Sequence, residues 1–262
     1  MHLFDPFAAD FMLRALGGGV LVAAVCAIVG TWVVIRGMAF LGEAMAHGML
    51  PGVAAASLLG LPVIAGAAVS AVVMTFGVSA ITRRGRLSND TGIGLLFVGM
   101  LSLGVIIVSH SRSFAVDLTA ILFGDILAIG ETDIALLAVA LGVTLLVAVF
   151  FHRSFVALAF DPRVAHTLRL RPRLAGAVLV GLVTLAVVAS YGAVGSLLVV
   201  GLLLAPAVAA GHWATRIPTT MLLAAVFGCL AVYAGLCATR PVAEMKLRPL
   251  SHTLVTTSRA NL

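Results

Sequence analysis

Apolar runs recur along the chain at intervals of about twenty residues, separated by short charged or Gly/Pro-containing turns, and that spacing matches membrane-crossing helices. The runs predict spans near 14–35, 43–60, 63–81, 91–109, 133–151, 174–190, 195–211 and 218–238, the second of them short and broken. An outer-membrane barrel would instead alternate apolar and polar residues in segments of about ten. The pattern predicts an all-α polytopic membrane protein of about eight transmembrane helices. Residues 1–238 form the transmembrane domain and 239–262 a polar C-terminal tail.

Composition strengthens this reading. Hydrophobic residues make up 62% of the 262-residue chain and charged residues 10%, with a mean hydropathy of +1.20. So little polar surface could not coat a soluble globule. The opening Met1-His-Leu-Phe-Asp-Pro has no basic stretch and no small-residue cleavage site, so no removed leader is expected and the first span directs insertion. Cys26, Cys229 and Cys237 lie in apolar runs without CxxC spacing, which argues against disulfides or a thiolate metal site.

The net charge of +6 reports topology rather than nucleic-acid binding, because the arginines cluster in short loops. Loops 36–42, 82–90, 152–173 and 211–217 would share one side and hold ten arginines, whereas the opposite side, the tail excluded, holds Arg14 and Arg112. The positive-inside rule places the arginine-rich face in the cytoplasm and the N-terminus outside. A crossing eighth span would put the tail outside despite Arg240, Lys246, Arg248 and Arg259; the alternative is an eighth span that does not cross fully.

One stretch carries candidate chemistry. In Arg36-Gly-Met-Ala-Phe-Leu-Gly-Glu43-Ala-Met-Ala-His47-Gly-Met-Leu-Pro51-Gly52, a carboxylate and an imidazole stand one helical turn apart inside apolar sequence. Residues four apart share a helix face, so Glu43 and His47 could hold one divalent cation. Pro51 removes the hydrogen bond that would reach back to the His47 carbonyl, a possible third donor. The competing reading pairs Glu43 with Arg36 near the membrane surface and packs His47 as an ordinary histidine. Metal identity stays open, since a carboxylate with an imidazole suits zinc, manganese or iron.

Other features have simpler expectations. The apolar 117–130, interrupted by Gly124, is too short to cross and reads as a re-entrant or interfacial helix at the outer mouth. Asp117 and Asp133 suit helix N-termini; Asp125 is not explained so easily. Asn89, Asp90 and Thr91 suit the cap of the fourth span. Gly48 and Gly52 form a GxxxG pair for close helix approach. Pro206 should kink the seventh span and free the Leu202 carbonyl. In the loop 152–173, Asp161 and Pro162 suit a helix start, followed by an amphipathic turn through Arg163 toward Arg169. Such a helix is what a membrane subunit needs to seat in a soluble motor.

Four blocks in order resemble the permease subunits of bacterial zinc and manganese importers of the ATP-binding-cassette class. They are the Arg36–Gly52 stretch, Asp90-Thr-Gly-Ile-Gly-Leu-Leu-Phe, Leu122-Phe-Gly-Asp125-Ile-Leu, and Phe160-Asp-Pro with its downstream Arg-Leu; Gly192 to Ala207 is a weaker fifth. The resemblance covers about 13–238 and implies a type II importer-like bundle in the bacterial cell membrane. It also implies a second copy of the permease, cytoplasmic ATPase subunits and an external metal-binding protein that delivers the ion. By the same resemblance Glu43 and His47 line the metal path, and Phe160, Asp161, Pro162 and Arg163 belong to the helix that couples to the ATPase. The metal is cargo, with no permanently bound cofactor. Two departures stand out: the family often has Asp at Glu43 and Ser at Ala46, and it usually continues into an apolar segment where this chain turns polar at Thr239.

The chain itself should not hydrolyse ATP, because its only lysine, Lys246, follows no glycine-rich loop. An intramembrane metalloprotease lacks its HExxH. A secondary, proton-coupled metal transporter using Glu43 is the alternative, although the inverted repeat it calls for is not visible. A membrane sensor or structural subunit is a third reading.

Overall fold

The computed structural model describes residues 10–84, 89–109, 129–160 and 172–238. The re-entrant segment, Asp125, Asp161, Pro162, Arg163 and the polar tail therefore lie outside the described residues. The described chain is helical: α1 (Asp10–Ile35), α2 (Ala39–Gly48), α3 (Leu50–Leu59), α4 (Val63–Arg84), α5 (Asn89–Ser109), α6 (Glu131–Phe150), α7 (His152–Phe160), α8 (Pro172–Trp213) and α9 (Ile217–Ala238). Six of these, α1, α4, α5, α6, α8 and α9, are long and apolar enough to cross a membrane.

The helix ends follow local chemistry. Helix α1 stops at Gly37, whose φ of +64° lets its N–H bond the Val34 carbonyl while the Met38 N–H bonds that of Val33. Helix α3 ends the same way at Gly60, with Leu61 N–H on the Ala56 carbonyl, and Pro62 follows where a helix cannot continue. Asp133 serves the start of α6. Its carboxylate accepts the Gly130 N–H at 3.0 Å, the capping role foreseen for it, exercised from inside the first turn.

The predicted second span is two ten-residue helices, α2 and α3, joined at Met49 with Pro51 in the first turn of α3. The predicted sixth and seventh spans appear as one 42-residue helix, α8. At about 1.5 Å per residue that length is about twice a bilayer core. Gly195, with φ 71° and ψ 166°, interrupts it, a conformation essentially confined to glycine. The contacts show that the chain turns back there. Gly176 lies beside the Arg36 guanidinium at one end of α1. Gly228 packs on Ala23 and Ala224 clusters with Ala27, so α9 runs antiparallel to α1 and begins near that same end. With Trp213 a short turn before α9, both ends of α8 sit on one side. The reversal thus falls at Gly195, between the predicted sixth and seventh spans, whereas Pro206, expected to kink the seventh, keeps helical backbone angles.

The core gathers around α1 and α8, with Trp32, Leu41, Met45, Met74, Leu179 and Leu203 fully buried. Outward faces are apolar as well: Phe76, Val149 and Phe150 are 71%, 70% and 83% exposed. Such faces belong in lipid. The long helices contact through small residues. A β-carbon at Gly52 would fall on the Gly66 carbonyl oxygen, and one at Gly66 on that of Gly52, so α3 and α4 cross at backbone contact. Gly48 meets Met74 on the same helix, so the GxxxG pair faces α4 of its own chain.

Candidate functional site: an acid and an imidazole on a broken helix

Helix α2 buries Leu41, Ala44, Met45 and Ala46 and turns Glu43 to the outside. His47, one turn on, is half-buried on the same face. Among the described residues no ion pair joins Glu43 to Arg36: the described ion pair is Arg14 to Glu131, at 3.0 Å near the starts of α1 and α6. Arg36 lies instead against Gly176, where burial lowers its pKa from the ordinary value. The surface pairing weighed for Glu43 is therefore absent among the described residues, where its side chain is exposed.

His47 is fixed in an unusual way. Its Nδ1 is buried with no hydrogen-bond partner, so the ring reaches the open face through Nε2. Its ring stands edge-on to Phe97 of α5, with centroids 5.6 Å apart and planes at 70°. Phe97 in turn meets Phe40 of α2 at 5.5 Å and 71°. Farther along, Gly104 of α5 lies against Leu50 and Pro51, so α5 follows α2 and α3 across their junction.

The junction keeps its polar groups satisfied. The Ser70 hydroxyl of α4 donates to the Gly48 carbonyl at 2.7 Å. The His47 carbonyl, expected to be free, faces the Met49 N–H. A carbonyl contribution to a metal from His47 therefore competes with a backbone donor. Behind α2, the Thr184 hydroxyl lies 2.6 Å from that of Thr75 and 3.8 Å from the Met45 sulfur, tying the buried face of α2 to α4 and α8.

Chemically, one carboxylate and one imidazole make an incomplete shell for any divalent transition metal. No third His, Cys, Asp or Glu joins them among the described residues. Loose coordination of that kind suits passage more than storage, since a tight cage would hold its ion.

At the end of the bundle where α1 stops, α7 packs by Phe155, fully buried, against Trp32 of α1 at 5.3 Å, and His152 meets the same ring at 5.5 Å. Helix α7 ends at Phe160, so the Phe160-Asp161-Pro162-Arg163 block begins where this anchored helix stops. Reasoning from sequence missed Phe97, Ser70, Thr75 and Thr184. Phe97 closes the Asp90–Phe97 block, a visible signal whose role needed the fold; the three hydroxyl residues carried none.

Comparison with known proteins agrees with this architecture. The model of the ABC 3 transport family matches residues 8–243. The chain is 33% identical over 237 residues, 89% of its length and 80% of the relative's, to the manganese transport system membrane protein MntC of Halalkalibacterium halodurans. It is 34% identical to the chelated iron transport system membrane protein YfeD of Yersinia pestis, over 79% of this chain and 69% of that one. Among solved structures, PsaBC from Streptococcus pneumoniae in complex with Fab aligns with a TM-score of 0.76 at 30% identity, covering 89% of this chain and 84% of that one. An inward-facing metal-chelate type ABC transporter shares the fold at a TM-score of 0.74 and 14% identity, over 88% and 77% of the two chains. A family model covering nearly the whole chain, relatives at a third identity over most of their length and a shared helical bundle lead to one conclusion: the chain belongs to the ABC 3 transport family.

Proposed function

We propose that the chain is the membrane-spanning permease subunit of an ATP-driven importer for a divalent transition metal: manganese, iron or zinc. Family membership and relatives named for manganese and iron transport support the class. The observation that carries the site is Glu43, exposed on an apolar helical bundle among the described residues, with His47, half-buried, one turn behind it on the same helix face. An ionisable pair in a membrane span is costly unless it serves a path or finds a partner.

In this reading an external binding protein delivers the ion. Two permease copies face each other and bring two carboxylates and two imidazoles to a shared passage. A separate cytoplasmic ATPase docks on the block from Phe160 to Arg163 and drives the exchange of outward and inward states. Each chain contributes Glu43 for charge compensation and His47 Nε2 as a borderline ligand, and the incomplete shell lets the ion leave. Metal uptake into proteoliposomes holding the assembled complex tests this. Glu43→Gln and His47→Ala should each depress uptake by at least about ten-fold, since loss of even an outer-shell partner of a metal ligand costs about 10- to 100-fold, without loss of assembly. Parental uptake by both variants would remove Glu43 and His47 from the path.

A further inference from the structure

A histidine that binds a metal is normally oriented by a hydrogen bond from its second ring nitrogen to a carboxylate, carbonyl or water, which fixes both the tautomer and the angle of the ring. His47 has no such partner: its Nδ1 is buried and unbonded. The described ring contact on His47 is the T-shaped one with Phe97.

The geometry around Phe97 is that of a brace. Phe40 and His47 lie seven apart on α2, so they project from one face two turns apart. Phe97 enters from α5 and makes an edge-to-face contact with each, at 5.5 Å to Phe40 and 5.6 Å to His47. Farther along α5, Gly104 lets the helix approach closely, since a β-carbon there would stand 3.3 Å from Leu50 and 3.4 Å from the Pro51 backbone. Edge-to-face contacts are directional, because the positive rim of one ring prefers the negative face of another. A leucine at position 97 would fill similar space without imposing a ring angle.

We infer that Phe97 is a positioning residue for metal passage, holding the His47 imidazole through ring geometry where other metal histidines use a hydrogen bond. The inference rests on the proposed role of His47. It assigns Phe97 no contact with the metal, and it predicts that its effect passes entirely through His47.

A double-mutant cycle on metal uptake tests it, with manganese as the probe and uptake normalised to assembled complex. Phe97→Leu should raise the KM for manganese by roughly three- to ten-fold, the range that one edge-to-face ring pair spans, with a smaller change in maximal rate. Phe97→Tyr, which keeps the ring, should restore the parental KM. In a His47→Ala background Phe97→Leu should add nothing further, since residues acting through one another are non-additive. Additive losses in the double variant, or a Phe97→Leu effect confined to maximal rate, would overturn the positioning role while leaving His47 as a ligand. A silent His47→Ala variant would instead strike the reading on which the inference stands.

Discussion

Replacing Gly52 by alanine tests whether the broken second span is held by backbone contact. A β-carbon there would collide with the Gly66 carbonyl, 2.8 Å from its carbon, and stand 2.6 Å from the Ser70 β-carbon. Neither obstacle is a flexible side-chain end, so relief requires α3 and α4 to separate. Overpacking of this kind costs about 1–3 kcal/mol. Separation would also stretch the Ser70 bond to the Gly48 carbonyl, adding about 0.5–1.5 kcal/mol. At about 2–4 °C per kcal/mol for a chain of this size, the total predicts a fall of about 3–18 °C in the apparent melting point. Gly99→Ala is the matched control, because nothing lies within 4 Å of a β-carbon at that position. The assay heats detergent-purified protein and follows the monodisperse fraction at one scan rate, since unfolding of such proteins is seldom reversible. Equal melting of Gly52→Ala and Gly99→Ala would refute the claim that α3 and α4 meet at their backbones.

Other predictions follow from single contacts. Gly195→Ala should lower thermal stability by about 1–3 kcal/mol through its left-handed φ, and no loss in a melting assay would argue against the turn described for α8. Asp133→Ala should cost about 1 kcal/mol by uncapping α6, whereas Glu131→Gln should cost under about 1 kcal/mol because its ion pair with Arg14 is solvent-exposed; comparing the two melting curves checks the order. Phe160→Asp should abolish stimulation of ATP hydrolysis by setting a charge in an apolar socket, and co-purification with the ATPase at parental uptake would exclude docking there. A reporter active only in the cytoplasm should be silent when fused after Leu262 and active after Arg216; activity in both would place the tail in the cytoplasm.

Much of this architecture is legible from residue order alone, because hydropathy over twenty residues is a strong and local signal. The span limits near 14–35, 63–81, 91–109 and 218–238 fall within a few residues of α1, α4, α5 and α9, and Pro51 marks the broken span. The kink was harder. The gap between the spans ending at 190 and starting at 195 locates the reversal, but which residue carries it is hidden: whether a given glycine takes φ above zero depends on what must turn there, and Gly195 looks like many of the 27 glycines. The site divides the same way. The spacing of Glu43 and His47 follows from helical periodicity, whereas Phe97 is remote in sequence and meets His47 only because α5 runs beside α2. The fate of the His47 carbonyl depended on a neighbouring N–H at Met49 that no motif encodes.

The turn at Gly195 also bears on how the protein is made. Between Leu174 and Gly211 the chain has no Asp, Glu, Lys or Arg, so no charged loop marks the reversal for the insertion machinery. Away from its ends α8 carries no orientation signal; Arg173, its second residue, and Arg216, just past its last, supply it for both halves. The segment would therefore enter the bilayer as a single hairpin during biogenesis. A charge introduced at Ala193 or Val194, both buried beside the turn, would oppose partitioning of both halves together, and the defect would surface as degradation of newly made protein rather than as slow transport.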